Sequence, residues 1–345
     1  MNDQQVRIGI IGAGGMGGAH AHAYAQDPRA LVCAVMDSEP ARAQALAEKL
    51  QAAAYDSLPD MLCRERPHLV SVCTPPGGHL EATLGALQSG CHVLCEKPLA
   101  RSGGEAARMV SAARRARRLL VTAFCHRFHE PVVIAREWIA KGVIGQVLQF
   151  RNRFAGWIPM EGRWFSDPAL AGGGSIIDTS IHSIDLFRYL VGDPATVSAR
   201  TATMVQPIKV EDSSLVLLQT AEGAIGSIEA CWSSPVSGAV IEIYGSQGTI
   251  IVDYGEPGPR YLRRGGKRWR RVRAAGPDRF VMQARHMLDC VTGVRQPLVT
   301  GEDGLWAARV ADAAYRSVKE QVWVALTGRS RVTAQGGQKR AAVLQ

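Results

Sequence analysis

Residues 9–20 read GIIGAGGMGGAH, six glycines in twelve positions behind the apolar run that begins at Val6. Glycine inside an element is unfavourable because it loses the most backbone freedom on folding. Its concentration here implies a turn that no side chain could enter, or a ligand that needs bare backbone. Gly12, Gly14 and Gly17 are spaced G-x-G-x-x-G where a strand gives way to a helix. The next apolar run, LVCAVMD, closes on Asp37, about twenty residues beyond Gly17. Strand, glycine loop, helix and acid in that order describe a dinucleotide-binding turn. Gly12 permits the tight turn, Gly14 lets the backbone approach a pyrophosphate, and Gly17 lets helix and strand pack closely. Gly15 and Met16 in the loop are candidate cofactor contacts, and the N-terminus of the helix that follows offers free N–H groups to the phosphates. A carboxylate at position 37 can accept both ribose hydroxyls and repels a 2′-phosphate, so NAD is expected over NADP. Ser38 and Arg42 nearby soften that exclusion.

Outward from this loop, the first 125 residues alternate short apolar runs with helical patterns. VRIGII, LVCAVMD, HLVSVCT, HVLCEK and LLVTAF read as buried strands. Helices are expected over 20–26, 40–50, 79–88 and 105–117. Such alternation predicts an α/β domain with a parallel sheet, covering 1–125. Past about residue 145 the texture changes. SLVLLQTAEGAIGSIEACW and AVIEIYGSQGTIIVDY each read as two strands around a turn. With helices expected over 175–190, 278–291 and 304–318, residues 126–327 predict an α+β domain on a large, mainly antiparallel open sheet. The polar, basic segment 328–345 is expected to be a mobile tail.

Composition narrows the function classes. The chain has 345 residues, 46% of them apolar, which favours two domains. No apolar run is long enough to span a bilayer, and no apolar segment follows a basic start, so the expected compartment is the cytoplasm with no membrane partner. Cys33, Cys73, Cys95 and Cys125 lie in or beside apolar runs and no C-x-x-C pair occurs, which predicts reduced core thiols and no metal site. The formal net charge of +9 owes much to residues 260–273. There Arg and Lys flank Tyr261, Leu262, Trp269 and Val272 around Gly265-Gly266, the pattern of a solvated edge hairpin. No nucleic-acid recognition motif accompanies the charge, so no nucleic-acid partner is expected.

Three later stretches are more specific: CTPPGGHLE at 73–81, CEKPLA at 95–100 and GGGSIIDTSIHSIDLF at 172–187. In order and spacing, up to about Leu326, they resemble the glucose–fructose oxidoreductase/inositol dehydrogenase (Gfo/Idh/MocA) family. The resemblance implies that Thr74, Pro75, Pro76 and His79 lie along the cofactor. It implies that Glu96 positions the cofactor, and that Lys97 stands beside both nicotinamide and substrate, with a cis bond before Pro98. Asp178 and His182, four apart on an expected helix, share a face. They align with the family's acid and base positions, and Asp185 is expected to support the helix.

Together these residues suit the oxidation of a secondary alcohol. Histidine takes the hydroxyl proton, Lys97 stabilises the developing alkoxide, and Asp178 orients the substrate. Thr179 after the aspartate resembles the inositol dehydrogenase branch, whereas Ser180 stands where the family often has glycine. Arg127, in HRF at 126–128, aligns with a substrate-side arginine, although an interdomain salt bridge explains it equally well. RNRFAGWIPMEGRWF at 151–165 is expected to be a loop carrying Trp157, Arg163 and Trp164, suited to a sugar face or to packing. A sugar or cyclitol substrate follows. The resemblance also implies a homodimer or homotetramer formed through the open sheet face; Leu215, Leu217, Ile241 and Ile243 fit that role and equally fit packing on the helices of their own chain. Two other readings are a non-catalytic NAD-binding sensor and a glycoside-processing enzyme that retains its NAD; Lys97, Asp178 and His182 argue for the dehydrogenase.

Overall fold

The computed structural model describes residues 5–326, so the expected tail from Gly328 lies outside the described residues. Strand β1 (Val6–Ile11) is nearly all buried, as an apolar run covered on both faces must be. It leads into α1 (Gly15–Ala25), β2 (Ala30–Met36), α2 (Pro40–Leu50), β3 (Ala53–Tyr55), α3 (Leu58–Glu65) and β4 (Leu69–Val72). Then follow α4 (Pro76–Gln88), β5 (His92–Cys95), α5 (Gly103–Ala116) and β6 (Leu120–Thr122). All six strands are parallel, in the order β3-β2-β1-β4-β5-β6. Consequently the loops after β1, β2, β4 and β5 share one carboxyl edge, where such sheets bind ligands. Helix α1 begins five residues earlier than expected, at Gly15 itself.

A 3₁₀ turn at Cys125–Phe128 carries the chain into α6 (Glu130–Ala140) and β7 (Val147–Trp157). After α7 (Pro168–Ala171) come a wide π turn at Ile176–Ser180 and α8 (Ile181–Leu190). Seven strands follow in part: β8 (Pro194–Ala202), β9 (Ser213–Thr220), β10 (Ile225–Cys231), β11 (Ser233–Gly245), β12 (Gly248–Asp253), β13 (Arg260–Arg263) and β14 (Arg270–Arg271). Helices α9 (Arg279–Val291) and α10 (Gly301–Glu320) precede β15 (Val324–Ala325). The nine-stranded sheet runs β14-β13-β12-β11-β7-β10-β9-β8-β15 and is antiparallel except between β7 and β10. The basic segment forms the expected edge hairpin, β13 and β14.

One expectation needs correction and two are refined. Residues 151–157 belong to β7, a central strand, and are not a loop; the exposed Arg151 and Arg153 alternate with buried Asn152 and half-buried Phe154. Ile241 and Ile243 are fully buried, because that face of β11 packs on the chain's own helices. Leu215 is exposed and Leu217 half-buried, so only those two remain on the open face. The helix expected over 175–190 is present, with its first turn widened into a π turn at Ile176–Ser180 that runs straight into α8.

One buried cluster runs from Ile8 and Ile10 of β1 through Phe124 and Ile184 to Ile241 and Val310. The two sheets therefore share a continuous core. Arg127 sits in it: its Nε donates 2.8 Å to Asp185 Oδ2, its Nη1 donates to Leu298 O, and Asp303 lies 3.3 Å away. This is the salt-bridge arrangement, deep in the protein, with Asp185 in the supporting role. Among the described residues no helix is long and apolar enough to cross a membrane, and no three metal-ligating side chains cluster. All eight cysteines are free, and Cys33, Cys73, Cys95 and Cys125 are buried.

A Cβ built on Gly17 would lie 1.9 Å from the Gly12 carbonyl oxygen. Gly17→Ala therefore forces β1 and α1 apart, and urea denaturation should show a loss of about 3 kcal/mol. Gly14→Ala, whose Cβ meets nothing within 4 Å, should leave the unfolding midpoint unchanged while weakening NAD binding.

Candidate active site

The glycine loop forms a backbone cradle. Gly12 takes φ +94° and its N–H donates to Met36 O, 2.7 Å away, which locks the loop against β2. Gly14 and Gly15 face open space, α1 has no acidic residue in its first turn, and no side chain caps it. Its first N–H groups are therefore free for an anion, as a pyrophosphate requires. Asp37 accepts from the Ala13 N–H at 2.7 Å and the Glu39 N–H at 2.9 Å. Each carboxylate oxygen keeps lone-pair capacity for a ribose hydroxyl. These donors and acceptors fit a dinucleotide.

Across the carboxyl edge, Pro75 is extended, Pro76 begins α4, and the Thr74 hydroxyl is buried without a partner. His79 occupies a different place from the one expected. It is fully buried, with Nδ1 2.8 Å from Pro98 O and Nε2 2.8 Å from Thr74 O. With no exposed atom it cannot lie along a cofactor; it ties the loop after β4 to the loop after β5. The Lys97–Pro98 bond is cis, as the resemblance implied.

Glu96 is buried and faces inward. Its Oε1 lies 2.9 Å from His20 Nε2 on α1, and its Oε2 accepts the Lys97 N–H at 3.0 Å. Ser71 Oγ lies 3.3 Å from His20 Nδ1 and 3.0 Å from the Tyr24 hydroxyl. Burial disfavours charge on His20, but the Cys73 sulfur and the Glu96 carboxylate outweigh it and raise its pKa to about 10. Glu96 is thus held as half of an internal ion pair, with its second oxygen fixing the backbone of Lys97.

Lys97 Nζ donates to Asp178 Oδ1 at 2.8 Å and to the Asp178 carbonyl at 3.0 Å. Burial works against its charge, yet Asp178 and Glu96 more than compensate and the pKa rises. It is an ammonium donor at neutral pH. Asp178 rides on the π turn, which is anchored by Glu211: its Oε2 accepts from Gly174 N and its Oε1 from Ile176 N, at 3.1 and 3.0 Å. A Cβ on Gly174 would lie 2.1 Å from Glu211 O, which explains a glycine run before the acid. Thr179 Oγ1 donates to Asp178 Oδ2 and accepts from Trp232 Nε1 at 2.8 Å, so it steadies the carboxylate.

One turn further, His182 is half-buried with Nδ1 unpartnered. Burial first, then the charges of His126, Lys97 and Arg279, hold its pKa well below 6.5. A neutral imidazole with a free nitrogen next to an ammonium can accept a proton from an alcohol that the ammonium holds.

Comparison with known proteins agrees with this geometry. Residues 6–124 match an oxidoreductase family's NAD-binding Rossmann fold, and residues 132–251 match the GFO/IDH/MocA C-terminal domain. The inositol 2-dehydrogenase of Rubrobacter xylanophilus is 30% identical over 73% of this chain and 72% of its own. The chain belongs to the Gfo/Idh/MocA family. The D-glucoside 3-dehydrogenase of Escherichia coli is 39% identical over 57% of each chain. A levoglucosan dehydrogenase solved with NADH and levoglucosan superposes with a TM-score of 0.89 at 25% identity, covering 94% of this chain and 100% of that one. As a Gfo/Idh/MocA member, the protein is an NAD-dependent oxidoreductase acting on sugar or polyol hydroxyls.

The family's cleft holds residues that the motifs did not reveal. His126 lies 4.4 Å, ring to ring, from His182, and its Nδ1 is 2.6 Å from the Tyr254 hydroxyl. His129 stacks on Tyr254 at 4.5 Å, and Phe154 packs against both His126 and Tyr254. Arg279, at the start of α9, completes the wall. A signal existed only for His126 and His129, which bracket the crossing into the second domain. Trp157 is exposed at the end of β7, Arg163 lies over Phe165, and Trp164 stacks on Phe165 at 3.6 Å. None of these three contacts Lys97, Asp178 or His182. Replacing Asp37 by Ser should shift the NAD-to-NADP ratio of kcat/KM towards NADP by about tenfold to a hundredfold, or 1.4–2.8 kcal/mol, as initial rates with each cofactor will show.

Proposed function

We propose that the substrate is a cyclic polyol or monosaccharide and that one secondary ring hydroxyl binds between Lys97 and His182. The observation that carries this is the Lys97–Asp178 ion pair at 2.8 Å facing a neutral imidazole at the carboxyl edge of the NAD-binding sheet. The names of the relatives, levoglucosan, D-glucoside and inositol dehydrogenases, all point to rings bearing secondary hydroxyls.

When bound, the nicotinamide supplies the hydride acceptor. Gly14, Gly15 and Met16 would hold the dinucleotide's phosphates, Asp37 a ribose, and the Thr74–Pro76 loop would bound the cleft beside the nicotinamide, with Glu96 acting from behind through the Lys97 backbone. Lys97 donates to the reacting oxygen and stabilises alkoxide character as the C–H bond breaks. His182 takes the hydroxyl proton, and Asp178 holds the ammonium and a neighbouring hydroxyl in register. The open face of the nine-stranded sheet, with Leu215 and Ile225 exposed, is the surface we assign to a homodimer or homotetramer. Free cysteines suit a cytoplasmic setting.

The test is NAD reduction, followed by absorbance, across inositols, aldoses, glycosides and anhydrosugars. Turnover should appear with one ring class and fall about 10²–10³-fold in kcat with Lys97→Met. NAD binding without turnover on any of them would favour a sensor instead. The pH profile supplies a second check. His182 is protonated only well below pH 6.5, so kcat/KM should stay flat through 6.5 and fall as pH drops through that lowered pKa. Lys97 loses its proton above 10.5, which places the alkaline limb beyond that value. His182→Gln should remove the acid limb and lower kcat about 10²–10⁴-fold.

A further inference from the structure

Five groups around the cleft are charged: Lys97, His20 and Arg279 are cations, Asp178 and Glu96 are carboxylates. Lys97 is paired with Asp178 and His20 with Glu96. Arg279 has no carboxylate partner among the described residues. Its guanidinium lies 5.1 Å over the Phe280 ring and against the Cys125 thiol, and its Nε is buried without an acceptor. The Asp278 and Glu130 carboxylates act on the neighbouring His129 but form no ion pair with Arg279; Asp278 accepts from Phe280 N at 2.8 Å and Glu130 from Gly276 N at 2.5 Å.

The histidines around Arg279 offer no ion pair. His126, His129 and His182 all have pKa values pushed down by burial first, with the Arg279 charge among the further causes. They are neutral. Two of them present buried nitrogens without partners, Nε2 of His129 and Nδ1 of His182. A half-buried cation whose own Nε–H lacks an acceptor is costly unless something anionic arrives. The oxidised nicotinamide ring, itself cationic, would sharpen that need.

We infer that the ring substrate carries a carboxylate and that Arg279 receives it, making this protein a dehydrogenase of sugar acids such as pyranose uronates. The inference rests on the ring-alcohol reading above and names the substrate class within it. A planar guanidinium presents parallel N–H donors that match a carboxylate fork. A single guanidinium without an ion pair, with the Asp278 and Glu130 carboxylates in the same neighbourhood, matches a monoanion and not a phosphate dianion. Arg279 acts here as a specificity determinant; Lys97 and His182 retain the chemistry.

The experiment compares matched pairs, D-glucuronate with D-glucose and D-galacturonate with D-galactose, plus D-glucose 6-phosphate. For each, kcat/KM for NAD reduction is measured, and binding to the NADH-loaded protein is titrated calorimetrically. The uronate of at least one pair should exceed its neutral partner by tenfold or more in kcat/KM. Arg279→Gln should cut that ratio by roughly 30-fold, and Arg279→Lys, which keeps the charge without the fork, should retain part of it. Thermal unfolding of both variants establishes that they are folded, and if Gln fails to fold, the Lys variant carries the comparison. Equal use of acid and neutral sugar, a preference for the phosphate ester, or a uniform rise in KM for NAD with Arg279→Gln would overturn the inference and leave the ring-alcohol reading standing. Uronate binding that is weakened by Arg279→Gln, with no turnover of any sugar, would support the inference and overturn that reading. Neither binding nor turnover of a uronate would overturn the inference, and the ring-alcohol reading would fall with it only if no neutral sugar or cyclitol were turned over either.

Discussion

The Lys97–Asp178 ion pair holds the functional half of this protein together. It joins the end of β5 in one sheet to the π turn before α8 in the other domain, at 2.8 Å. Both side chains keep under a fifth of their surface exposed, so the pair is neither fully dry nor freely wetted. That intermediate state suits a reacting site. A completely buried pair would resist admitting a substrate oxygen, because separating two desolvated charges is expensive. A fully exposed pair would impose little geometry.

Close backbone approach makes the pairing possible on both sides. On the sheet side, Gly17 lets α1 lie against the β1 turn, which brings His20 to Glu96 and so fixes the backbone of Lys97. On the helix side, Gly174 lets Glu211 reach the amides that begin the π turn. A π turn widens the helix locally and redirects its side chains. Asp178 thereby points to the lysine while His182, on the regular helix that follows, stands against His126. The arginine network of Arg127, Asp185 and Asp303 holds α8 from behind, so the helix does not depend on the Lys97–Asp178 pair alone.

Legibility in the sequence followed locality. Gly12, Gly17 and Asp37 are readable because strand, turn, helix and acid are consecutive, and the fold around them is dictated by near-neighbour geometry. The hairpins at Glu222-Gly223 and at Gly245–Gly248 were readable for the same reason. Strand β7 was not. Its buried Phe150 and Asn152 alternate with exposed arginines, and a polar residue at a buried position hides the period. Ile241 and Ile243 showed the alternation but not which face the chain's own helices cover. Lys97, Asp178 and His182 came from the family resemblance more than from spacing. His126, Tyr254 and Arg279 converge from three separate segments, so no local pattern could announce them. His79 and Arg127 show the reverse: polar residues in the right loops whose side chains turn inward, because two carbonyls and two carboxylates wait for them there.

The electrostatic arrangement follows from the demands of the reaction. Alcohol oxidation separates a proton from a hydride, and the oxygen between them becomes negative for an instant. A permanent cation must face that oxygen, and a base that is neutral beforehand must stand beside it. Burial performs both sortings here. It depresses His182, His126 and His129, whose neighbours are cations, and fails to depress Lys97, whose neighbours are carboxylates. The same desolvation therefore yields an uncharged base and a charged donor within one cleft. What decides between them is the placement of Asp178 and Glu96 on the lysine side, whereas the charges acting on His182 and His126 are cationic and the Asp278 and Glu130 carboxylates beside His129 do not offset its burial.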